Sequence, residues 1–403
     1  MRILNVTQSY APFFEFGGPP VKVRALAEGL AARGHAVTVL TADWGLDQRL
    51  RQLPNEPPGE HYAFGRKRTA AGVTAIYLGN WLHYRAASWN PALSRFLHAR
   101  LQEFDVVHIF GLYDMLGPCV AAACREEKIP YVVEPIGMYV PRVRSLWLKR
   151  MYHRFLGREM LAGASVIVTT AEQEQSDLIA GGIPKEKIVL RRNGVEGPQV
   201  PPERGRFRAA LGIPPEAKLL LFLGRLSEKK SPQLLLQAFA KIIASETLGQ
   251  APMHVAFVGP DEAGMLAKLK KMAASIAPPG RIHFSPALAD TPKWQAYRDA
   301  DIFVLPSQNE NFGNTAAEAA AAGTPVIVTD QCGIAPLLAG VAGLVVKHDE
   351  IALTNALQEL LHDETLYARL QAGCATVRDA LDWNQPIEQM VNIYAALAAH
   401  SHS

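Results

Sequence analysis

Glu310 and Glu318 have seven residues between them in PSQNENFGNTAAEAAAAGTP, residues 306–325, Phe312 and Gly313 among these. A single glutamate on a loop is ordinarily a solvated charge, but a pair bracketing Phe-Gly is a pattern that chemistry can use. Gly313 allows the backbone to approach a ligand closely, and a helix opening at Asn314 or Thr315 turns N–H groups and the positive end of its dipole toward the same place. That arrangement suits an anion. The cations able to share it are Arg225 and Lys230 of GRLSEKK, residues 224–230, with Lys229 as a neighbour of the same charge.

These residues need a scaffold that brings them to one edge. IFVLP (302–306) and PVIVTD (325–330) read as buried strands, so the paired glutamates sit in the crossover of a strand-helix-strand unit. Such crossovers open at the carboxyl edge of a parallel sheet, where ligands of open α/β sheets bind. KLLLFLGRL (218–226) is a further strand running into Arg225 and Lys230, and HVAFVGP (254–260) and RIHFSPAL (281–288) continue the alternation. The four alanines at 319–322 keep the intervening helix thin against its sheet.

The N-terminal half opens in the same way. RILNVT (2–7) is a strand, the loop after it contains Gly17, Gly18, Pro19 and Pro20, a helix is expected from about Val21 to Arg33, and HAVTVLTA begins the next strand. Gly17 and Gly18 can set backbone amides against a diphosphate. The loop is not the G-x-G-x-x-G of dinucleotide binding. DVVHIFG (105–111) and IPYVVEPIGM (129–138) are further strands, carrying His108 and Glu134. Residues 45–70 read as an irregular excursion, and the Pro-rich VEGPQVPPERG after Asn193-Gly194 as a linker. The fold class expected is α/β, two doubly wound Rossmann-like domains facing a cleft: 1–200, 201–380, and a terminal helix over 381–403.

Glu310-Asn-Phe-Gly-Asn-Thr-Ala-Ala-Glu318, followed by Ala-Gly-Thr-Pro-Val, resembles the E-x7-E signature of the retaining glycosyltransferases of family 4, which have the GT-B fold. Gly224 to Lys230 resembles that family's G-R-L-x-x-x-K, and Gly17-Gly18 with LAEGLAARGHAVTVLT its N-terminal motif. The resemblance implies that Glu310 sits beside the donor sugar and the Phe312-Gly313 backbone beside sugar or phosphate. It also implies that Glu318 holds the ribose hydroxyls and that residues 381–403 cross back to the first domain. Two positions depart from the family pattern: Ile136 stands where a histidine is common, which leaves His108 and Glu134 as the acceptor-side candidates, and Pro336 stands where a glutamate is common.

The activity so implied is transfer of a sugar, with retention, from a UDP- or GDP-linked donor to an acceptor hydroxyl, in glycan or glycolipid biosynthesis. The nucleotide-sugar is a substrate, and no cofactor is expected. No Asp-x-Asp pair is read as a metal site near the motif, so Arg225 and Lys230 are expected to meet the diphosphate charge without a metal. Two other classes use the same residues: a nucleotide-sugar epimerase, which needs no acceptor, and a sugar-nucleotide binding module that turns nothing over.

Composition narrows the setting. Hydrophobic residues at 49% and charged ones at 20% fit a globular protein of two cores, and no run is long enough to span a membrane. With no signal-peptide pattern and four scattered cysteines, a cytoplasmic protein without a disulfide framework is expected. Residues 1–200 hold 24 Lys and Arg against 18 Asp and Glu, the remainder 17 against 20, so an anionic partner is expected on the first half. Within 142–158, Arg142, Arg144, Lys149, Arg150, Arg154 and Arg158 alternate with apolar residues, and Leu148, Met151, Tyr152 and Phe155 form one helical stripe. Two readings follow: a stripe buried in the domain under a solvated basic face, or a peripheral contact with the inner face of a membrane or a lipid-linked acceptor.

Overall fold

The computed structural model describes the chain except residues 54–57, 85–86, 141–145, 199, 246–251, 277–279 and 402–403. Two compact units emerge, Met1–Asn193 with Trp383–Ser403, and Gly194–Asp382. Each is organised around one open sheet.

The first unit's strands are β1 (Arg2–Thr7), β2 (Ala36–Ala42), β3 (Glu60–Tyr62), β4 (Gly65–Ala70), β5 (Val73–Leu78), β6 (Leu82–Tyr84), β7 (Ala87–Trp89), β8 (Val106–Phe110), β9 (Tyr131–Glu134), β10 (Val166–Thr169) and β11 (Ile188–Leu190). β6 and β7 form a separate hairpin, and the others a sheet in the order β11-β10-β9-β8-β1-β2-β5-β4-β3. β1 pairs in parallel with β2 on one side and β8 on the other, so the chain reverses direction across the sheet between β1 and β8. β3 and β4 join antiparallel at the edge, and with the helix Leu46–Arg51 they give structure to the stretch expected to be irregular. GRKRTA lies between β3 and β5, with Arg68 buried and Thr69 exposed, as in a strand with one wet face.

Apolar clusters cover both faces of this sheet. One includes the helix Gly18–Ala31 and, from the chain's end, Ile387, Met390 and Tyr394 of the helix Asn384–Ser401. Ile387 fills the space above Gly29, where a Cβ would collide with its side chain.

The second unit has six parallel strands: β12 (Lys218–Leu223), β13 (Met253–Val258), β14 (Ile282–Ser285), β15 (Ile302–Leu305), β16 (Val326–Thr329) and β17 (Gly343–Val346). They lie in the order β14-β13-β12-β15-β16-β17. Strands with helices on both faces need apolar residues on both, hence runs such as LLLFL and IFVL with every residue buried. Succession runs outward both ways from β12 and β15, which makes the gap between them the switch point where ligands of such sheets bind.

Candidate functional site

The two loops leaving β12 and β15 carry the residues singled out in the sequence. β12 ends in Gly224 at φ 154°, and Gly259, at the end of β13, comes so close to the Gly224 carbonyl that a Cβ there would overlap it. Arg225 follows, then a 3-10 turn at Glu228–Lys230, then the helix Pro232–Ala244. Ser231 stands at φ 48° and is fully buried, its hydroxyl 2.9 Å from His348 Nε2. The turn folds the Lys230 side chain back over Gly224.

There Lys230 Nζ donates to Glu310 Oε2 at 2.8 Å. Burial alone would raise the Glu310 carboxyl; the positive charges of Lys230, Lys229 and Arg225 outweigh it and hold the group below its ordinary value. Glu310 is therefore an anion within a cationic surround. Its backbone is fixed as firmly: Glu310 N–H donates to Gln331 at 2.9 Å, Gly333 N–H to Glu310 at 3.0 Å, and Ile334 N–H to Phe312 at 2.7 Å. Gln308 N–H reaches the Lys229 carbonyl at 2.9 Å, which ties the two loops together. Arg225 is more than half exposed and points to Glu262 at 3.3 Å.

Gly313 caps the helix Asn314–Ala321 at φ 102°, a backbone that only glycine adopts without strain, and a Cβ would stand 3.0 Å from Ile334 Cγ2. Ala316, Ala317, Ala319 and Ala320 are buried against the sheet. Phe312 is buried in the core, leaving its backbone as the part facing outward chemistry. Thr315 Oγ1 is shielded at the helix start and has no hydrogen-bond partner among the described residues. An unpartnered hydroxyl at a helix start is where an added acceptor or donor group would be satisfied.

Glu318 is half-buried and already engaged. Tyr297 donates its hydroxyl to Oε2 at 2.7 Å and Lys293 its ammonium to Oε1 at 2.9 Å, both from the helix Asp290–Asp299. Sequence reasoning missed these two. Their i, i+4 spacing on the helix leading into β15 was the available signal. Asp299-Ala300-Asp301, an Asp-x-Asp run on the amino side of β15, is taken up structurally: Asp299 accepts from the Phe207 and Arg208 amides at 2.8 and 3.1 Å, and Asp301 pairs with Arg208 at 2.7 Å. Among the described residues no group of three or more His, Cys, Asp and Glu is placed to hold a metal ion. Pro336 is exposed in the short helix Ala335–Leu338.

In the first unit, Gly17 (φ 97°) caps the helix Gly18–Ala31 after β1, next to the point where the sheet order reverses. His108 and Glu134 are fully buried beneath that edge. Glu134 accepts from Lys22 and, at 2.9 and 3.1 Å, from Arg191; His108 shares a hydrogen bond with Tyr394 at 2.6 Å and stacks on Phe110. Burial, with Arg191 and Lys22 nearby, drives the His108 pKa far down and keeps the ring neutral. Neither side chain is exposed to an acceptor in this conformation. Ile136 adopts φ 54°, rare for a β-branched residue, and the Gly137 amide after it donates to the Glu174 carboxylate.

The chain matches known proteins in sequence and in fold. A glycosyl transferase 4-like domain matches residues 17–194 and the glycosyl transferases group 1 domain residues 203–373, so the two together take in most of the chain. The chain belongs to this family of glycosyltransferases, with a GT-B-type double Rossmann fold. A D-inositol 3-phosphate glycosyltransferase of Streptomyces bingchenggensis is 32% identical over 60% of the chain and 55% of the relative. The chain thus spans little more than half the length of the first relatives it matches; one from Stackebrandtia nassauensis, with the same description, is 27% identical over 94% of the chain and 86% of its own length. Among solved structures, sucrose-phosphate synthase from Thermosynechococcus elongatus gives a TM-score of 0.74 at 20% identity over 99% of both chains. An Anabaena protein, HepE, in complex with UDP gives 0.74 at 18% identity over 98% of this chain and all of that one, 100%. At such identities these structures speak for the fold.

Proposed function

We propose that the protein transfers a sugar from a nucleoside-diphosphate donor to an acceptor hydroxyl, retaining the anomeric configuration. The observation that carries this reading is the cationic switch-point site: Lys230 folded onto Glu310 beside the Gly313-capped helix, with Glu318 one helix turn beyond its start. Breaking the sugar–phosphate bond develops charge on the departing diphosphate. Arg225, Lys230 and the Asn314–Thr315 helix end meet that charge from fixed positions, which lowers the barrier only so far as they bind the departing group better than the bound donor. In this reading the cations do the neutralising that a divalent ion does elsewhere, Glu318 takes the ribose, and Glu310 lies against the sugar. The Gly17-Gly18 amides approach the diphosphate or the transferred sugar, and a leaving-phosphate oxygen takes the acceptor proton.

The relatives' name supports a phosphorylated acceptor, and the UDP in the related structure supports a uridine donor. We place the reaction in the cytoplasm, in glycan or glycolipid biosynthesis, with the acceptor lipid-linked and the chain meeting the inner membrane face through residues 142–158. Arg142 and Arg144 of that segment lie outside the described residues. The test is a panel of UDP- and GDP-sugars incubated with and without acceptor extracts, following nucleoside-diphosphate release and the product's anomeric configuration by NMR. Acceptor-dependent release with retention is expected. Isomerised donor without acceptor would make it an epimerase, and binding without turnover a binding module.

A further inference from the structure

The segment after β9 contradicts the packed-stripe reading of its own sequence. The helix Leu146–Tyr152 runs through a π-helical turn at His153–Gly157 into the helix Arg158–Gly163. Its inward face is Lys149, Tyr152, His153 and Leu156, spaced i, i+3, i+4, i+7: the Tyr152 ring stands 5.3 Å from that of Tyr113, His153 Nε2 shares a hydrogen bond with the Tyr113 hydroxyl at 2.8 Å, and Lys149 lies over the same ring. The apolar stripe is one residue further round. Trp147, Leu148, Met151 and Phe155 are consequently 68, 47, 37 and 57% exposed. With Leu146 they make five of the thirteen exposed large hydrophobic residues among those described, within ten positions. Scattered exposed apolar residues are ordinary; a run of this density marks a contact surface.

The flank beside that stripe is cationic and concave. Arg150, Arg154 and Arg158, four residues apart, line an open cavity of about 770 Å³ together with Tyr139 and Lys187, and no acidic side chain is among its lining residues. None of the three arginines is paired with a carboxylate among the described residues, although acids are near in sequence and Glu159 pairs instead with Arg125. Lys187 is anchored at the floor by the Ala162 and Ala164 carbonyls at 2.8 and 3.1 Å. Gly181 makes the room, since a Cβ there would overlap the Tyr139 hydroxyl.

Guanidinium groups spaced to converge on one hollow fit phosphate oxygens in paired hydrogen bonds. A soluble phosphate ester would occupy the hollow and leave the neighbouring apolar stripe in water. A phospholipid uses both. Building on the membrane contact proposed above, we infer that this groove holds the phosphate of an anionic membrane lipid, with Arg150, Arg154 and Arg158 on the headgroup and Trp147, Leu148, Met151 and Phe155 entering the interface.

The test is co-sedimentation with vesicles of phosphatidylcholine alone or mixed with phosphatidylglycerol, at low and high salt, in the absence of donor. The triple substitution Arg150→Ser, Arg154→Ser, Arg158→Ser should reduce partitioning onto anionic vesicles on the order of 100-fold, given the usual contribution of each basic residue near such a surface. The corresponding triple Arg→Lys protein should keep its salt-sensitive binding but lose part of its affinity. Trp147→Ser with Phe155→Ser should weaken binding at both salt concentrations. Equal partitioning of wild type and the triple-Ser protein overturns the proposal, as does equal binding to neutral vesicles. So does a rise in melting temperature with glycerol 3-phosphate or inorganic phosphate, seen in wild type and lost in the triple-Ser protein, without any preference for anionic vesicles; that result assigns the hollow to a soluble phosphate. Since no donor is present, failure here leaves sugar transfer standing, and failure of sugar transfer leaves this result standing.

Discussion

Replacing Glu318 by alanine tests the nucleotide side of the site with a magnitude that the structure helps to set. A carboxylate offers about four lone-pair positions. Tyr297 and Lys293 take one on each oxygen, which leaves one on each for the two hydroxyls of a ribose. The alanine removes a charged acceptor contributing roughly 1.5 to 3 kcal/mol, a loss of affinity of roughly 10- to 150-fold. It also strands the buried Tyr297 hydroxyl, at a stability cost of about 1 to 3 kcal/mol. The two effects must be separated, because a destabilised protein also binds badly.

Adding Tyr297→Phe removes the stranded hydroxyl, so the double variant should regain much of the lost thermal stability and none of the lost affinity. Calorimetric titration with UDP and with its 2′-deoxy analogue then closes a cycle between residue and ligand. Wild type should discriminate against the deoxy nucleotide, and Glu318→Ala should bind both alike. Unchanged discrimination in the alanine protein would refute the ribose role outright. GDP and its deoxy analogue serve if guanosine is the preferred base.

Lys230→Ala and Arg225→Ala should lower kcat more than they weaken donor binding, since the diphosphate gains charge on the way to the transition state; equal losses in both would count against them. Of the two, Lys230→Ala should also lower thermal stability, because it leaves Glu310 without its 2.8 Å partner. Activity should survive EDTA, and loss with rescue by a divalent cation would overturn the metal-free reading. Burial raises the Asp114 carboxyl from 3.8 to about 6, against the lowering effect of the Gly117 and Leu116 amides. The folded protein therefore binds that proton more tightly than the unfolded chain, and stability falls as pH rises from 3.8 to about 6. Asp114→Asn should remove that part of the fall, on the order of 2 to 3 kcal/mol, in urea midpoints taken at pH 4.5 and pH 7.

Much of the second unit was legible because its signals are local. A strand buried on both faces is a short apolar run, a left-handed cap is a glycine, and a helix laid on a sheet is a string of alanines; β15 and Gly313 write theirs plainly, while of the expected run 319–322 only Ala319 and Ala320 are buried, joined by Ala316 and Ala317. The partners of Glu318 showed in sequence only as an i, i+4 pair, since Lys293 and Tyr297 acquire their role only when the helix before β15 packs beside the one after it. The stretch 148–155 misled for a related reason. Periodicity fixes which residues share a face, but which face turns inward depends on what waits there, and Tyr113 selects Tyr152 and His153.

The buried charges of the first unit extend the point from packing to electrostatics. His108 and Glu134 look, in sequence, like polar residues at strand ends, which is also how a binding residue looks. What distinguishes them is Lys22 from the helix Gly18–Ala31 and Arg191 from beyond β11, residues 112 and 57 positions from Glu134 in sequence, which converge on it away from water. Glu134 left alone there would be costly to ionise, and Arg191 and Lys22 offset that cost, while burial and the neighbouring Arg191 charge push the Lys22 pKa well below its ordinary value. Tyr394, 286 positions from His108, adds the C-terminal helix to the same cluster. The cluster thus joins the helix behind Gly17-Gly18, three strand ends and the chain's last helix under the edge where β1 and β8 part. Glu134→Ala should accordingly destabilise the whole unit by leaving buried Arg191 and Lys22 without their hydrogen-bond acceptor, rather than raise KM for an acceptor. A folded variant with normal melting and a selectively raised acceptor KM would return Glu134 to the acceptor side.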